Sequence, residues 1–300
     1  TEALNLAILG TARAAPKGRP RVITLATEHA AVLDTVLSLR HEGFEPVVLP
    51  VERNGLVDLD IAEAAIDDRA ALLAVMQVNN EIGVIQPVEK LIAIARAHGV
   101  PVLCDAVQGF GRMPTPDADM IAVTAHKIHG PKGIGALWVR DKTEIMPVIL
   151  GGGQEQGLRP GTLSPMLCAG FGVAADLAVR QREADLTHVR QLAKRARTLL
   201  SDWTLNGAED ARYPGNLNIR REAIDAAQLL SNARTVALSL GSACTSGSGR
   251  PSHVLRAIGL SDAEARSSLR IGFGRYTTMD ELERGIAALK EAAALQAIAA

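Results

Sequence analysis

Short apolar runs alternate with helical patterns from Arg21 to Arg140, and that alternation allows few folds. Arg21 to Ala26, Glu45 to Pro50, Ala71 to Val78, Val100 to Asp105, Met120 to Ala125 and Gly135 to Arg140 read as strands. Ala30 to His41, Leu59 to Ile66 and Val88 to His98 read as helices between them. Such spacing implies βαβ units, hence an α/β fold with a mostly parallel sheet and helices on both faces. After Gly151-Gly152-Gly153 the character changes. Pro165 to Leu200 reads as one long helix. Short strands (Asn216 to Ile219, Thr235 to Leu238) and two helices (His253 to Ile258, Met279 onward) come after it, a smaller α+β portion. A boundary near Arg180 divides the chain into 1–180 and 181–300.

Hydrophobic residues make up 47% of the 300, enough for a sizeable core, but aromatics are only 3%, so Ala, Leu, Val and Ile must build it. A net charge of −1 favours neither nucleic acid nor an anionic membrane as a partner. No apolar run approaches the roughly 20 residues that span a bilayer. Three cysteines without a CxxC pair argue against a disulfide framework and a structural zinc site, and suggest a reducing, cytoplasmic setting. Cys104 and Cys168 sit in apolar stretches and read as buried packing. Thr11 to Ala15 lacks the basic start and apolar stretch of a signal peptide. The chain begins at Thr1 inside a helical pattern, Glu2 to Leu9, so residues ahead of Thr1 are expected.

Chemistry concentrates where strands end. Thr124-Ala125-His126-Lys127-Ile128-His129-Gly130 puts a lysine just past an apolar run. A desolvated lysine is a usable amine that can hold an aldehyde cofactor, although a surface lysine in a glycine-rich turn would look the same. Thr124 and His126 supply donors suited to a phosphate. Asp105 closes another apolar run. It either caps a helix that begins after it or faces a protonated ring nitrogen, the second protein part that pyridoxal phosphate (PLP) chemistry needs. Gln108 lies one helical turn on, within reach of a ring hydroxyl. His29, after Thr27-Glu28, is either structural or a ring stacked on the cofactor that serves as acid or base. Cys244 lies among small polar residues, Gly241 to Arg250, where a thiol on a mobile loop could act as a nucleophile or be a linker residue of no consequence. Arg270, alternating with apolar neighbours, is either a surface ion pair or a bidentate carboxylate binder.

In this order these segments resemble the cysteine desulfurases, PLP enzymes of fold type I in the class V aminotransferase group. The resemblance runs over essentially the whole chain. It rests on Thr27-Glu28-His29, Val78-Asn79-Asn80-Glu81-Ile82-Gly83, Asp105-Ala106-Val107-Gln108, His126 to Gly135, and Gly241-Ser242-Ala243-Cys244-Thr245-Ser246. The Cys244 segment resembles the long-loop subgroup that feeds iron–sulfur assembly and thiolation. The resemblance implies a large PLP-binding domain, then a small domain carrying the cysteine loop. Lys127 would hold PLP as a Schiff base; Asp105 would pair with the ring nitrogen and Gln108 with the ring hydroxyl. His29 would stack on the ring and move protons. Thr1, Thr124 and His126 would bind the phosphate, and Thr162 would reach the phosphate of a second subunit, making a homodimer. Asn80 would contact cofactor and substrate, and with Arg270 would hold the substrate carboxylate. Cys244 would take sulfur from L-cysteine as a persulfide, releasing alanine, and pass it to an acceptor such as an iron–sulfur scaffold, with at most a transient cluster contact and no resident metal.

The sequence departs from the family in several places. Several dozen residues that the family has before the position of Thr1 are not in this sequence. Thr124 stands where serine is usual, Gln108 to Met120 is short, and Leu240 replaces a common serine. Selenocysteine lyases, class V aminotransferases or epimerases, and a truncated non-catalytic binding subunit are the alternatives. The Cys244 loop argues against an aminotransferase, which has no need of it.

Overall fold

The structure, a computed structural model, describes residues 1–240 and 251–299. Cα packing divides the chain into two units: Thr1–Pro50 with Val57–Val78 and Gln86–Arg182, and Val51–Leu56 with Asn79–Ile85 and Glu183–Ala300.

The first unit is built in chain order from α1 (Glu2–Ala14), β1 (Arg21–Leu25), α2 (Ala30–Ser38), β2 (Glu45–Leu49), α3 (Leu59–Ala65), β3 (Ala70–Met76), α4 (Val88–Ala97), β4 (Val102–Asp105), β5 (Met120–Thr124) and β6 (Gly135–Val139). The strands form one sheet in the order β2-β1-β3-β4-β5-β6, parallel except for antiparallel β6. Residues of the inner strands sort by parity. Ile23, Leu25, Leu73, Val75, Val102 and Cys104 enter one core with Leu91, Ile92 and Ala95 of α4. Val22, Leu72, Ala74, Leu103 and Met120 enter another with Ala7 and Ile8 of α1 and Val32 and Val36 of α2. Burial on both faces is why β3 reads as an unbroken apolar run, Ala-Ala-Leu-Leu-Ala-Val-Met. The long helix α5 (Pro165–Leu199) begins in this unit. Its Phe171, Ala174 and Ala178 pack on Ala125 and Ile128. Cys168 lies exposed on that helix, contrary to the expectation of buried packing, because the apolar residues there cover only one face.

The second unit holds the rest of α5 and an antiparallel sheet, β7 (Thr204–Leu205), β8 (Asn216–Arg220) and β9 (Ser268–Gly272). Around it lie α6 (Ala226–Asn232), α7 (His253–Ala257), α8 (Asp262–Arg266) and α9 (Met279–Ala299). β8 alternates Asn-Leu-Asn-Ile, and period-2 geometry sends these residues to opposite faces. Leu217 and Ile219 join Leu192 and Ala196 of α5 and Leu282, Ile286 and Leu289 of α9 in the core. Asn216 and Asn218 bind the returning segment Asn79–Ile85 instead, donating from Nδ2 to the carbonyls of Asn80 (3.1 Å) and Glu81 (3.2 Å). Ile82 and Val84 of that segment pack with Val254, Leu255 and Ile258.

Thr235 to Leu238 does not form the expected strand. The chain turns after α6, with the Val236 N–H on the Ala233 carbonyl, and meets β9 only at Ser239, which bridges to Arg270. Helices α6 and α8 are additions to the sequence reading. Both are short and owe their starts to caps, Asp225 on α6 and a Ser261–Glu264 capping box on α8.

Candidate active site

In an open parallel sheet, ligands sit outside the carboxyl ends of the strands, where the strand order reverses. Here the reversal falls between β1 and β3, because the chain moves outward from β1 to β2 and returns to β3 on the other side. Thr27, Glu28 and His29 come after β1, Gln77 after β3, Asp105 ends β4, and Thr124 to Lys127 close β5.

His29 caps α2, accepting the Ala31 N–H at Nδ1 (3.1 Å). With Nδ1 used as an acceptor, the proton of the neutral ring sits on Nε2. Glu28 is fully buried and accepts the Met76 N–H at Oε1 (2.9 Å). Burial holds its carboxyl well above the usual range despite that hydrogen bond, and nearby Asp105 pushes it further up. Asp105 is 6% exposed and accepts the Val107 N–H at Oδ1 (2.9 Å). Burial raises its pKa to about 6, against the opposing effect of that N–H.

Gln108 does not lie on a helix as expected, because the chain after Asp105 runs through turns. Its Oε1 accepts from Arg112 Nη1 (3.0 Å), and Arg112 Nη2 donates to the Lys127 carbonyl (2.7 Å). Arg112 is therefore a residue of the site that the sequence reading missed. An arginine in a Gly-Arg-Met run carries no local signal, since the carbonyl it reaches on the Lys127 turn belongs to another loop.

Lys127 ends a 3-10 turn, Ala125–Lys127, and is half-buried between buried Ala125 and Ile128. These apolar neighbours anchor the turn on α5 while the lysine side chain stays outside the core. His129 and Gly133 then adopt left-handed backbone, φ +66° and +90°. At His129 this costs roughly 1 kcal/mol and reverses the chain tightly behind the lysine. Thr124 Oγ1 donates to the Ile134 carbonyl (3.1 Å) and lies 3.0 Å from His126 Nδ1. Desolvation, then Lys127 and Lys132, lower the pKa of His126, which favours its neutral form.

Thr1 is exposed at the N-cap of α1 and makes no side-chain cap bond. Thr162 is exposed ahead of α5. The Glu2–Arg159 ion pair (2.7 Å) draws the residues beside these two threonines together.

In the second unit, Arg270 lies in β9 and donates from Nη1 to the Asn80 carbonyl (2.7 Å). Burial lowers its pKa and the charge of Glu81 works the other way. The Asn80 Oδ1 atom is buried without a hydrogen-bond partner, as is Asn216 Oδ1. Buried unpaired acceptors are uncommon and call for a donor from outside the chain. Asn80 thus sits with Arg270 in the second unit. Cys244 lies outside the described residues.

This donor set fits PLP. Asp105 has a burial cost that a cationic ring nitrogen would offset, Lys127 supplies an amine, and Thr124 and His126 supply a hydroxyl and an imidazole for phosphate. Among the described residues no cluster of His, Cys, Asp and Glu could hold a metal ion, and no helix is long and apolar enough to cross a membrane.

The aminotransferase class-V family model matches residues 1–284. The chain is 46% identical to a mitochondrial cysteine desulfurase of Eremothecium gossypii over 97% of its own length, but spans only 61% of that protein. It superposes on a NifS-like protein with a TM-score of 0.90 and 29% identity, covering 98% of this chain and 80% of that one. A structure described as SspA in complex with cysteine is 35% identical, with a TM-score of 0.79, over 92% of this chain and 80% of the other.

Proposed function

This chain belongs to the aminotransferase class-V family, and from that membership we propose that it is a PLP-dependent cysteine desulfurase, converting L-cysteine to L-alanine. The observation that carries the reading is the pairing of adjacent strands β4 and β5. Asp105 stands opposite Ala122 in the ladder, and β5 runs directly into the Lys127 turn. A buried carboxylate and a half-buried amine thus close neighbouring strands of one sheet.

When bound, PLP supplies an electron-withdrawing ring that stabilises negative charge on the amino acid's α-carbon. Asp105 holds its negative charge against the ring nitrogen and keeps a proton there. Lys127 would hold the aldehyde carbon through its amine and would carry a proton at Nζ. His29 covers the ring face and presents the Nε2 proton. Gln108 donates to the ring hydroxyl oxygen, and Thr1, Thr124 and His126 bind the phosphate, joined by Thr162 of a second copy. Arg270 and Asn80 hold the substrate carboxylate. Cys244 takes the substrate sulfur as a persulfide and delivers it to an acceptor protein, such as an iron–sulfur scaffold or a thiolation partner. The working unit is a homodimer.

The test is alanine release from L-cysteine by the PLP-loaded chain with a thiol reductant, beside Cys244→Ser. The reading expects alanine from the first and almost none from the second. Equal alanine from both would remove Cys244 from the reaction, and none from either would remove the desulfurase activity from this chain.

A further inference from the structure

Arg112 holds the two loops from which the cofactor reading takes its residues. It stands half-buried in the turns after β4. Its Nη1 donates to the Gln108 carbonyl (3.1 Å) and to Gln108 Oε1 (3.0 Å), and its Nη2 donates to the Lys127 carbonyl (2.7 Å). One planar fork therefore joins the loop of Asp105 and Gln108 to the turn of Lys127. Hydrogen bonds from a guanidinium are stronger than neutral ones, and its fixed geometry holds acceptors in set directions.

Arginine has donors only, so the Gln108 atom that faces it must be the carbonyl oxygen. The amide is thereby fixed with Nε2 turned away from Arg112, leaving Gln108 able to donate to an oxygen of a bound ring. The backbone is constrained as well. The Lys127 carbonyl, at the last residue of its 3-10 turn, is held by a residue from the neighbouring loop rather than by its own turn alone. Movement of either loop breaks the fork.

We propose that Arg112 is a positioning residue for the cofactor site, orienting the Gln108 amide as a donor and fixing the Lys127 backbone, so that both loops address one ring. The proposal rests on the reading of Lys127 and Gln108 as PLP-binding residues. A brace that merely stabilised the loops would lower the melting temperature without making cofactor affinity depend on Gln108.

The experiment measures the dissociation constant of PLP and the melting temperature for the wild type, Arg112→Ala, Arg112→Lys, Gln108→Ala, the Arg112→Ala/Gln108→Ala double variant and Lys127→Ala. Arg112→Ala should weaken PLP about ten-fold, the scale of losing hydrogen bonds from a charged donor. In the Gln108→Ala background the same change should cost only about three-fold, because the share acting through the amide is already gone. Arg112→Lys, which keeps the stem and the charge and so protects the fold, should recover part of the affinity. An unchanged dissociation constant beside a lowered melting temperature would overturn the proposal. So would an equal cost with and without Gln108, or full recovery by lysine, which would leave no role for the fork. In those cases PLP binding that still depends on Lys127 leaves the cofactor reading intact. A wild type that binds no PLP, or binds it equally well as Lys127→Ala, would defeat the reading and the proposal together.

Discussion

Asp105 is the residue whose titration separates a cofactor site from an ordinary strand end. Burial raises its pKa from 3.8 to about 6. The folded chain without cofactor therefore holds this proton more tightly than the unfolded chain does. Stability from this group is greatest below pH 4 and falls as the pH rises through 6. Asp105→Asn should flatten that slope in urea melts of the cofactor-free chain. At pH 7.5 it should stabilise the chain by on the order of 2–3 kcal/mol while weakening PLP binding. A variant less stable than the wild type at pH 7.5 would mean that the carboxylate already has its partner within the chain. Arg270 makes the complementary case. Its guanidinium is bound to a backbone carbonyl. Arg270→Ala should raise the KM for L-cysteine more than ten-fold, the loss of a charge-assisted carboxylate contact, with a smaller change in kcat. An unchanged KM would return Arg270 to a structural role. Asp105 and Lys127 could be singled out in the sequence because each closes an apolar run at or just past a strand end, and Arg270 because it alternates with apolar neighbours within a strand. Arg112, Asn216 and Asn218 could not, because the carbonyls of Lys127, Asn80 and Glu81 that they reach lie in other segments and no local pattern records them.

Among the elements, β8 does the most with the least. Its apolar positions serve the core, and its asparagines grip consecutive carbonyls of the Asn79–Ile85 segment. Asn218 also accepts the Asn206 amide at Oδ1 (2.7 Å) and is fully buried. Asn218→Ala should cost about 2–3 kcal/mol in denaturant unfolding, since buried donors and acceptors lose their partners together. Gly83 sets how close the segment can come: at φ +72° its added Cβ would lie 2.9 Å from the Asn216 carbonyl oxygen. Gly83→Ala should therefore destabilise by about 1–3 kcal/mol, and a neutral result would mean that the segment can back away from β8. The strands of the parallel sheet were legible because burial on both faces leaves an apolar run that nothing else explains. Thr235 to Leu238 misled for a related reason. Val236 and Leu238 alternate with small residues as a half-buried strand would, but the Val236 N–H is spent on the turn that leaves α6. Periodicity reports which side chains are buried, not which backbone bonds are made.

On the scale of the molecule, the homodimer proposal has a surface to test. Along the first half of α5, Met166 (82% exposed), Val173 (61%) and Leu177 (41%) stand at helical spacing on one side. Large exposed apolar residues in such a row mark an association surface more often than isolated ones do. Light scattering should report a dimer for the wild type and monomers for Met166→Asp/Val173→Asp, with little change in the melting temperature of the isolated subunit. A monomeric wild type would end the homodimer proposal, and a variant that stays dimeric would place the interface elsewhere.

The excursion of Asn79–Ile85 into the second unit also has a consequence during synthesis. Ile82 and Val84 are fully buried, but their partners on α7 are made much later. The strand that grips Asn80 and Glu81 also comes late. At about 5–20 residues per second, the nascent chain must carry this apolar stretch for on the order of ten seconds before its partners leave the ribosome. A fragment starting at Glu183 would meet the reverse difficulty, emerging with a polar strand face and no segment to hold. The order of translation thus leaves a sticky segment waiting for its lodging, the stage at which a holding chaperone would be of most use to this chain.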